Sequence, residues 1–509
     1  MKILMVLANP GQNWAEAAQQ LHSKGHDLLL ACEQSIPTGS FSCRSLPMKK
    51  SALTRLLGQF RPQIVHCFGL SRGENLSKVC KAARVPLIFS PDGAVPKALR
   101  NCYFLTGTEE EKKNLSAQAL IPADLIRVGD DPEPVYEALL HPVRPIKAVI
   151  SGYYGYGNLG DDAILLAIQQ QMARSDRPIE LHVLSRRPEH TAKQYGLRSL
   201  QRFNPFQVFK ALWECDVLIS GGGSLLQDKT STRSLLYYIT LIHLMKKLGK
   251  PVFMYANGIG PISRQSNRRL VRDCVELCDV VTLRDRDSLE ELKALGVTRQ
   301  DMLVTGDPVF TLLPPLKQTD PLVDLAVDNS SGVIGISVRS IPDMTNFPRE
   351  FARVCDRLVT EKGKTIVFLI MQESIDEPLS RAVQQMMTQP SYLKKAPGDL
   401  ASMLSLIQSM DTVIAMRLHT IIFAANVNVP VIGCNYDPKV ASMLNILGLP
   451  SCGTPTDMTA DNAYQVCCEL LDNLPQYRQT LARSVSEQKR LAETTAQLFY
   501  KMLSQYHID

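Results

Sequence analysis

The chain has 509 residues, too many for one hydrophobic core of ordinary size, so more than one domain is expected. Its 45% hydrophobic and 21% charged content is that of a folded globular protein, and a formal net charge of +6 is too mild to make nucleic acid the default partner. Thirteen cysteines lie without zinc-ligand spacing or a disulfide framework, which points to free thiols in a reducing compartment. No uncharged apolar run reaches the roughly 18 residues of a membrane span, and "MKILMVLANPG" has neither a basic n-region nor a cleavage site. A cytoplasmic location is expected, with peripheral contact at the inner face of the membrane left open. Arg268, Arg269 and Arg272 fit a solvated helix face first, and an acidic substrate or an anionic membrane surface second.

Short apolar runs alternate with helical stretches along the whole chain, the pattern of parallel α/β sheets. "KILMVLA", "HDLLLAC", "PQIVHCFG" and "VPLIFSPDG" predict strands of a first domain over 1–143, followed by a linker at 141–147. "IELHVLS", "DVLISGGG", "KPVFMYANGIG" and "DVVTLRD" belong to a second domain over 147–312, which closes near "LVTGDPVF". A Pro-, Asp- and Ser-rich segment from Leu312 to Gly332 marks the next boundary. "GVIGISVRS", "TIVFLIMQ", "DTVIAMRLH" and "VPVIGCN" then predict a third domain over 331–509, ending in a long helical tail. The second and third units are placed to face each other across a cleft, where open sheets bind ligands at their strand ends.

At the head of the second domain, "GYYGYGNLGDDAIL" contains G-x-G-x-x-G in Gly155, Gly157 and Gly160. A dinucleotide fold would set a pyrophosphate on the helix that follows. Asp161 and Asp162 suit a helix start but repel a pyrophosphate there, and the next strand ends in Ser185, Arg186 and Arg187 rather than an acidic ribose ligand. The nicotinamide reading therefore fails. What remains is a structural turn capped by Asp161, or a polar loop that offers Tyr153, Tyr154 and Asn158 to a substrate.

Further loops fall at strand ends. "SGGGSLLQD" has glycines, Gly222 and Gly223 among them, that let backbone N–H groups approach a ligand, and Gln227 and Asp228 that can bond hydroxyls. "AMRLHTIIFAANVNVPVIGCNYDPKV" puts Arg417 and His419 at a strand-to-helix junction, with Asp437 and Lys439 beyond the next strand. Together with "SGGGSLLQDKTSTRSLLYY", "GIGP", "LRDRDS", "GDPVF" and "ISVR", in this order over roughly residues 147–450, these pieces resemble the polysaccharide pyruvyltransferase family of the CsaB type. Departures are "SIPDM" after Arg339, where an aromatic residue is expected, and "LIMQESIDE", which only partly fits an expected Pro and downstream Asp.

The resemblance implies a GT-B-like fold of two Rossmann-like domains facing a cleft, preceded here by a third. Residues 1–140 look like the acceptor half of a GT-B glycosyltransferase, and are expected to be a docking or structural module. It also implies transfer of pyruvyl from phosphoenolpyruvate to a sugar, expected to be an N-acetylhexosamine of a cell-wall or surface polymer precursor. That donor carries a phosphate and a carboxylate, which suit the guanidinium forks of Arg417, Arg339, Arg233 and Arg284 and the ammonium of Lys439. Arg233 and Arg284 fit surface ion pairs equally well. His419, the histidine beside an arginine in a motif, is expected to be the general acid/base titrating near neutrality. Asp161, Asp162 and Asp228 are acceptor-orienting candidates, with capping the stronger reading for Asp161. No cluster has metal-ligand spacing, so neither a metal nor a cofactor beyond the donor is expected. The rivals are a GT-B glycosyltransferase using a nucleotide sugar and a non-catalytic polymer-binding scaffold.

Overall fold

Three parallel sheets organise the chain, seen in a computed structural model that describes all residues except 9–13, 34–40, 71–72, 93–94, 100–101, 120, 122–124, 130, 141–143, 230, 313–321, 323–330 and 507–509. Met1–Arg144 and Pro145–Asp509 are two compact units. The expected linker at 141–147 and the segment from Leu312 to Gly332 lie partly outside the described residues. Ile146 and Lys147 already belong to a strand.

The first unit holds a seven-stranded parallel sheet of Rossmann-like layout, with Lys2–Leu7 and Ile64–Phe68 at its centre. Helices Trp14–Ser23, Lys50–Phe60 and Gly73–Ala83 bury their leucine-bearing faces against it. His66, buried on the central strand, bonds Tyr136 Oη at 2.6 Å and Ser90 Oγ at 2.9 Å, so its ring is satisfied within the core.

In the second unit, an eight-stranded sheet starts from Ile146–Ser151, which pairs with Ile179–Ser185 on one side and Val217–Ser220 on the other. A five-stranded sheet starts from Val333–Ser337, flanked by Thr365–Ile370 and Thr412–Ala415. These strands are buried almost end to end, as parallel strands covered by helices on both faces must be. In each sheet the chain reverses direction across its first strand, and the loops leaving that strand and its later neighbour splay apart. Such a switch point is where open α/β sheets hold ligands. The two switch points supply the loops at 152–158 and 221–223 from one sheet and Arg339 and 416–419 from the other.

The tail helix Leu474–Gln505 follows the five-stranded sheet in sequence but also packs on the eight-stranded one. Phe499 meets Phe253 edge-on at 5.3 Å, Thr495 donates to Thr305 at 2.6 Å, and Tyr500 donates to the Gln171 carbonyl at 2.5 Å. One apolar core runs from Ile150 and Ile164 through Phe310 to Phe423 and Phe499, tying the two sheets together.

Candidate active site

Helix Leu159–Met172 begins where the second sheet's first strand lets go of its chain. Its N-cap is Asn158, whose Oδ1 accepts from the Gly160 amide at 3.2 Å while its Nδ2 donates to Asp161. Asp161 is therefore not the cap that the sequence suggested. The third glycine of the G-x-G-x-x-G pattern serves a neighbour: a Cβ on Gly160 would lie 2.0 Å from Nδ1 of His419. His419 thus lies against this helix start, where a dinucleotide fold would hold its pyrophosphate.

Asn158, Leu159 and Gly160 from one sheet and Arg339, Met371, Gln372, Arg417, His419 and Tyr436 from the other line a cavity of about 140 Å³. Arg417 stands at the end of strand Thr412–Ala415, ahead of helix Leu418–Asn426. Its Nε and Nη2 bind Asp376 Oδ1 at 3.0 and 2.5 Å, and Nη2 also reaches Gln372 at 3.3 Å. Asp376 is fully buried, and its second oxygen accepts from the Gln372 amide at 2.7 Å. It is an aspartate downstream of the Met371–Gln372 loop, and it fixes the plane of the guanidinium. Arg339 stacks over Tyr436 at 5.4 Å and donates to its hydroxyl at 3.2 Å, leaving its buried Nε without a partner.

His419 is part-buried, and its Nε2 is shielded from solvent without a hydrogen-bond partner. Burial pulls its pKa down to about 4, with Arg284 and Arg417 adding to the shift and Asp307 opposing it. It is neutral at pH 7, not poised near neutrality as the sequence reading expected.

Behind the histidine lies a second charged group. Arg284 is buried, not a surface ion pair, and holds Ser224 Oγ at 3.0 Å, Asp285 at 3.3 Å and Asp307 at 3.5 Å. Lys439 reaches over from the third domain to Ser224 Oγ at 3.0 Å and the Gly260 carbonyl at 3.2 Å. Burial lowers its pKa, and Arg284 lowers it further. Asp161 faces Gly223, whose Cβ would meet Asp161 Oδ1 at 3.1 Å. Burial, reinforced by Asp162, raises its pKa to about 7, and burial raises Asp162 to about 6.

Several expected ligands have other work. Tyr154 is 1% exposed and lies in the core beneath Gly152 and Gly221, so it offers nothing to a substrate. Gly222 and Gly223 permit close approach, but to helix Leu159–Met172. "GSLL" forms a short strand of its own beside Val252–Ile259, which carries Gln227 and Asp228 away from the switch point. Asp228 spends its carboxylate on the amides of Ser263 (2.9 Å) and Arg264 (3.0 Å) and on Asn267 (2.9 Å), so it braces a turn rather than orienting an acceptor. Asp162 lies beside Tyr195, off the cavity wall. Arg233 is exposed on the first turn of helix Thr232–Lys247, away from the wall. Tyr436, Gln372, Asp376, Asp307 and Ser224 were missed as site residues. Asp376 stands where the family pattern expects an aspartate after "MQ", but was not named as a site residue; the other four lie inside noted motifs or loops with nothing local to mark them out.

Asp161 makes stability pH-dependent. Folded, it keeps its proton to about pH 7, whereas the ordinary value is 3.8, so over that window the folded state holds the extra proton. Stability contributed this way is complete below pH 4 and is lost as pH rises through 7. His419, depressed from 6.5 to about 4, acts in the opposite sense between those values. Asp161→Asn is therefore expected to be more stable than the parent at pH 8, by on the order of 2–4 kcal/mol, and equal to it near pH 4. Urea unfolding at both pH values checks this; an equal or lower stability at pH 8 would show that Asp161 ionises freely.

Among the described residues no group of three or more His, Cys, Asp or Glu is arranged to hold a metal, and no helix is long and apolar enough to cross a membrane. The fold has known counterparts. A Listeria monocytogenes structure assigned as a UDP-N-acetylglucosamine 2-epimerase superposes with a TM-score of 0.54 at 12% identity, covering 72% of this chain and 98% of that one. A glycosyltransferase from Rickettsia africae gives 0.51 at 10% identity, covering 72% and 100%. These likenesses establish the GT-B-like fold of Rossmann-like domains. Amylovoran biosynthesis protein AmsJ of Erwinia amylovora is 21% identical over 412 residues, covering 68% of this chain and 97% of AmsJ. The family profile of polysaccharide pyruvyl transferases matches residues 158–438, from the cap of the glycine-loop helix to the residue before Lys439. The chain belongs to the polysaccharide pyruvyl transferase family and is a transferase acting on polysaccharide.

Proposed function

We propose that the chain transfers pyruvyl from phosphoenolpyruvate to two hydroxyls of a sugar in a polymer precursor, releasing phosphate and leaving a cyclic ketal. The observation that carries the reading is the cavity that His419 and Gly160 close between the two switch points, with Arg417 and Arg339 in its wall. At about 140 Å³ it is well below the roughly 300–1,000 Å³ of pockets for drug-sized ligands, which favours a small anion over a nucleotide sugar. Arg417 and Arg339 offer forks to the carboxylate and phosphate, and Arg284 and Lys439 add positive charge from behind.

The donor's own negative charge beside the imidazole works against burial and against the two arginines, so His419 takes up a proton when the donor enters. It delivers that proton to the methylene carbon, leaving C2 electron-poor. The first sugar hydroxyl attacks C2 and gives its proton to the neutral imidazole. The second hydroxyl then forms its bond to C2 as the C2–O bond to phosphate breaks. Phosphate leaves with the proton held by His419, and the second hydroxyl restores it. Two hydroxyl protons are consumed, one ending on the new methyl group and one on phosphate. Every proton transfer in this scheme runs through His419.

Phosphoenolpyruvate at a hundredfold its Kd should stabilise the fold by about 2.7 kcal/mol and raise the melting temperature by a few degrees, more than a UDP-sugar does. Phosphate release against a panel of lipid-linked or analogue N-acetylhexosaminides then identifies the acceptor. A shift with the UDP-sugar and none with phosphoenolpyruvate would turn the assignment to a glycosyltransferase; no shift with either would leave a polymer-binding scaffold.

A further inference from the structure

Helix Pro205–Glu214 buries Val208, Ala211 and Leu212 in the core of the second domain and turns its aromatic residues to solvent. Phe206 is 85% exposed, Trp213 62% and Phe209 49%, and Phe203 just before the helix is 54% exposed. Their spacing keeps them on one stripe of the helix. Soluble proteins rarely leave so much contiguous apolar surface in water without a use for it.

Cations border the stripe. Arg186 lies over the Phe203 ring at 5.5 Å, and Lys210 is exposed among the aromatic residues, with Glu214 at 3.8 Å as its only ion pair among the described residues. A protein partner seated here would have to bury Lys210, and lysine is depleted from interface cores. A bilayer carries no such penalty, because a lysine stem lies along acyl chains while its ammonium reaches the headgroups. The face is also continuous with the site. Arg202 stacks on Phe203 at 5.2 Å and on Tyr156 at 5.5 Å, and donates to the Gly152 carbonyl at 2.8 Å, in the loop that ends at Asn158 on the cavity wall.

We propose that this face docks the protein on a membrane surface, with Phe206, Phe209 and Trp213 at the boundary of headgroups and acyl chains and with Arg186 and Lys210 on anionic lipid. Docking stands on the helix alone. Its consequence, that a lipid-borne acceptor is presented beside the cavity, rests on the pyruvyl-transfer reading.

The chain has two tryptophans, and Trp14 is buried in the first unit. In the full chain carrying Trp14→Phe, Trp213 therefore reports alone. Vesicles of phosphatidylcholine with phosphatidylglycerol should shift its emission to the blue, brominated acyl chains should quench it, and the protein should sediment with the vesicles. Phe206→Ser with Phe209→Ser should weaken vesicle binding by about tenfold or more, with the melting temperature held within a degree or two. Trp213 emission unmoved by these vesicles would overturn the proposal. So would a concentration-dependent dimer that the same serine pair dissolves, since the face would then join two copies. No substrate is present in these measurements, so their failure leaves the pyruvyl-transfer reading standing, and its failure leaves them standing.

Discussion

Replacing His419 with glutamine is expected to lower turnover by about 10²–10⁴-fold while donor affinity stays within a few-fold of the parent. The imidazole lies against Gly160 with a buried, unpartnered Nε2 at a cavity wall, and an amide of similar length preserves much of that packing. In the empty site its pKa is held at about 4 by burial and two arginines. A donor that sets negative charge beside the imidazole works against burial as well as those arginines, and is expected to draw in a proton on binding near neutral pH. Calorimetry in buffers of different ionisation enthalpy should register that uptake in the parent and lose it in His419→Gln. Gly160→Ala tests the same contact from the other side. Alanine is the better helix former, yet its methyl group must displace the ring, so turnover should fall while the helix is kept. Near-normal turnover by folded His419→Gln would end the catalytic assignment, and a lowered melting temperature with turnover preserved would identify a packing residue instead.

Arg417→Met should cost about 3–5 kcal/mol of stability, because it strands the fully buried Asp376 without its cation. Activity loss in that variant would say little about the donor. Arg417→Lys is the cleaner probe: it keeps a charge beside Asp376 but cannot form a fork. It is expected to retain most of the stability and to weaken donor binding along with turnover. Asp376→Asn should release the guanidinium from its plane, raising the donor Kd more than it changes the rate at saturating donor. Urea unfolding and donor titration on the three variants separate these effects. Unchanged stability in Arg417→Met would show that the ion pair does not hold the Gln372 loop to the strand end.

Legibility differed between fold and site. Runs such as "AVIS", "VFLI" and "TVIA" are strands because they are apolar throughout and end in turn residues, and both properties are local. The short edge strands Arg198–Gln201 and Ser391–Lys395 carry few apolar residues and were not foreseen, since an edge needs a partner on one side only. "GSLL" was read as part of a glycine loop because its pairing with Val252–Ile259 is not written in its own composition.

What the amino-acid sequence by itself determined is the alternating α/β order and, through its ordered motifs, the family. The first follows from residue types and spacing within short stretches, the second from the resemblance those motifs carry. Only the tertiary structure decided which polar groups are free to act. Asp228 and Tyr154 look available in sequence, but one is spent on three donors around a turn and the other is sealed in the core. Gly160 looks like a phosphate loop until His419 is seen against it, and Arg417 looks like a free cation until Asp376 is found beneath it. Gly160 and His419 meet across the two faces of the cleft, whereas Arg417 with Asp376, and Asp228 with its donors, join segments 35 to 41 residues apart on one side of it. Burial, which moves Asp161 up to about 7 and His419 down to about 4, exists only once those faces have closed.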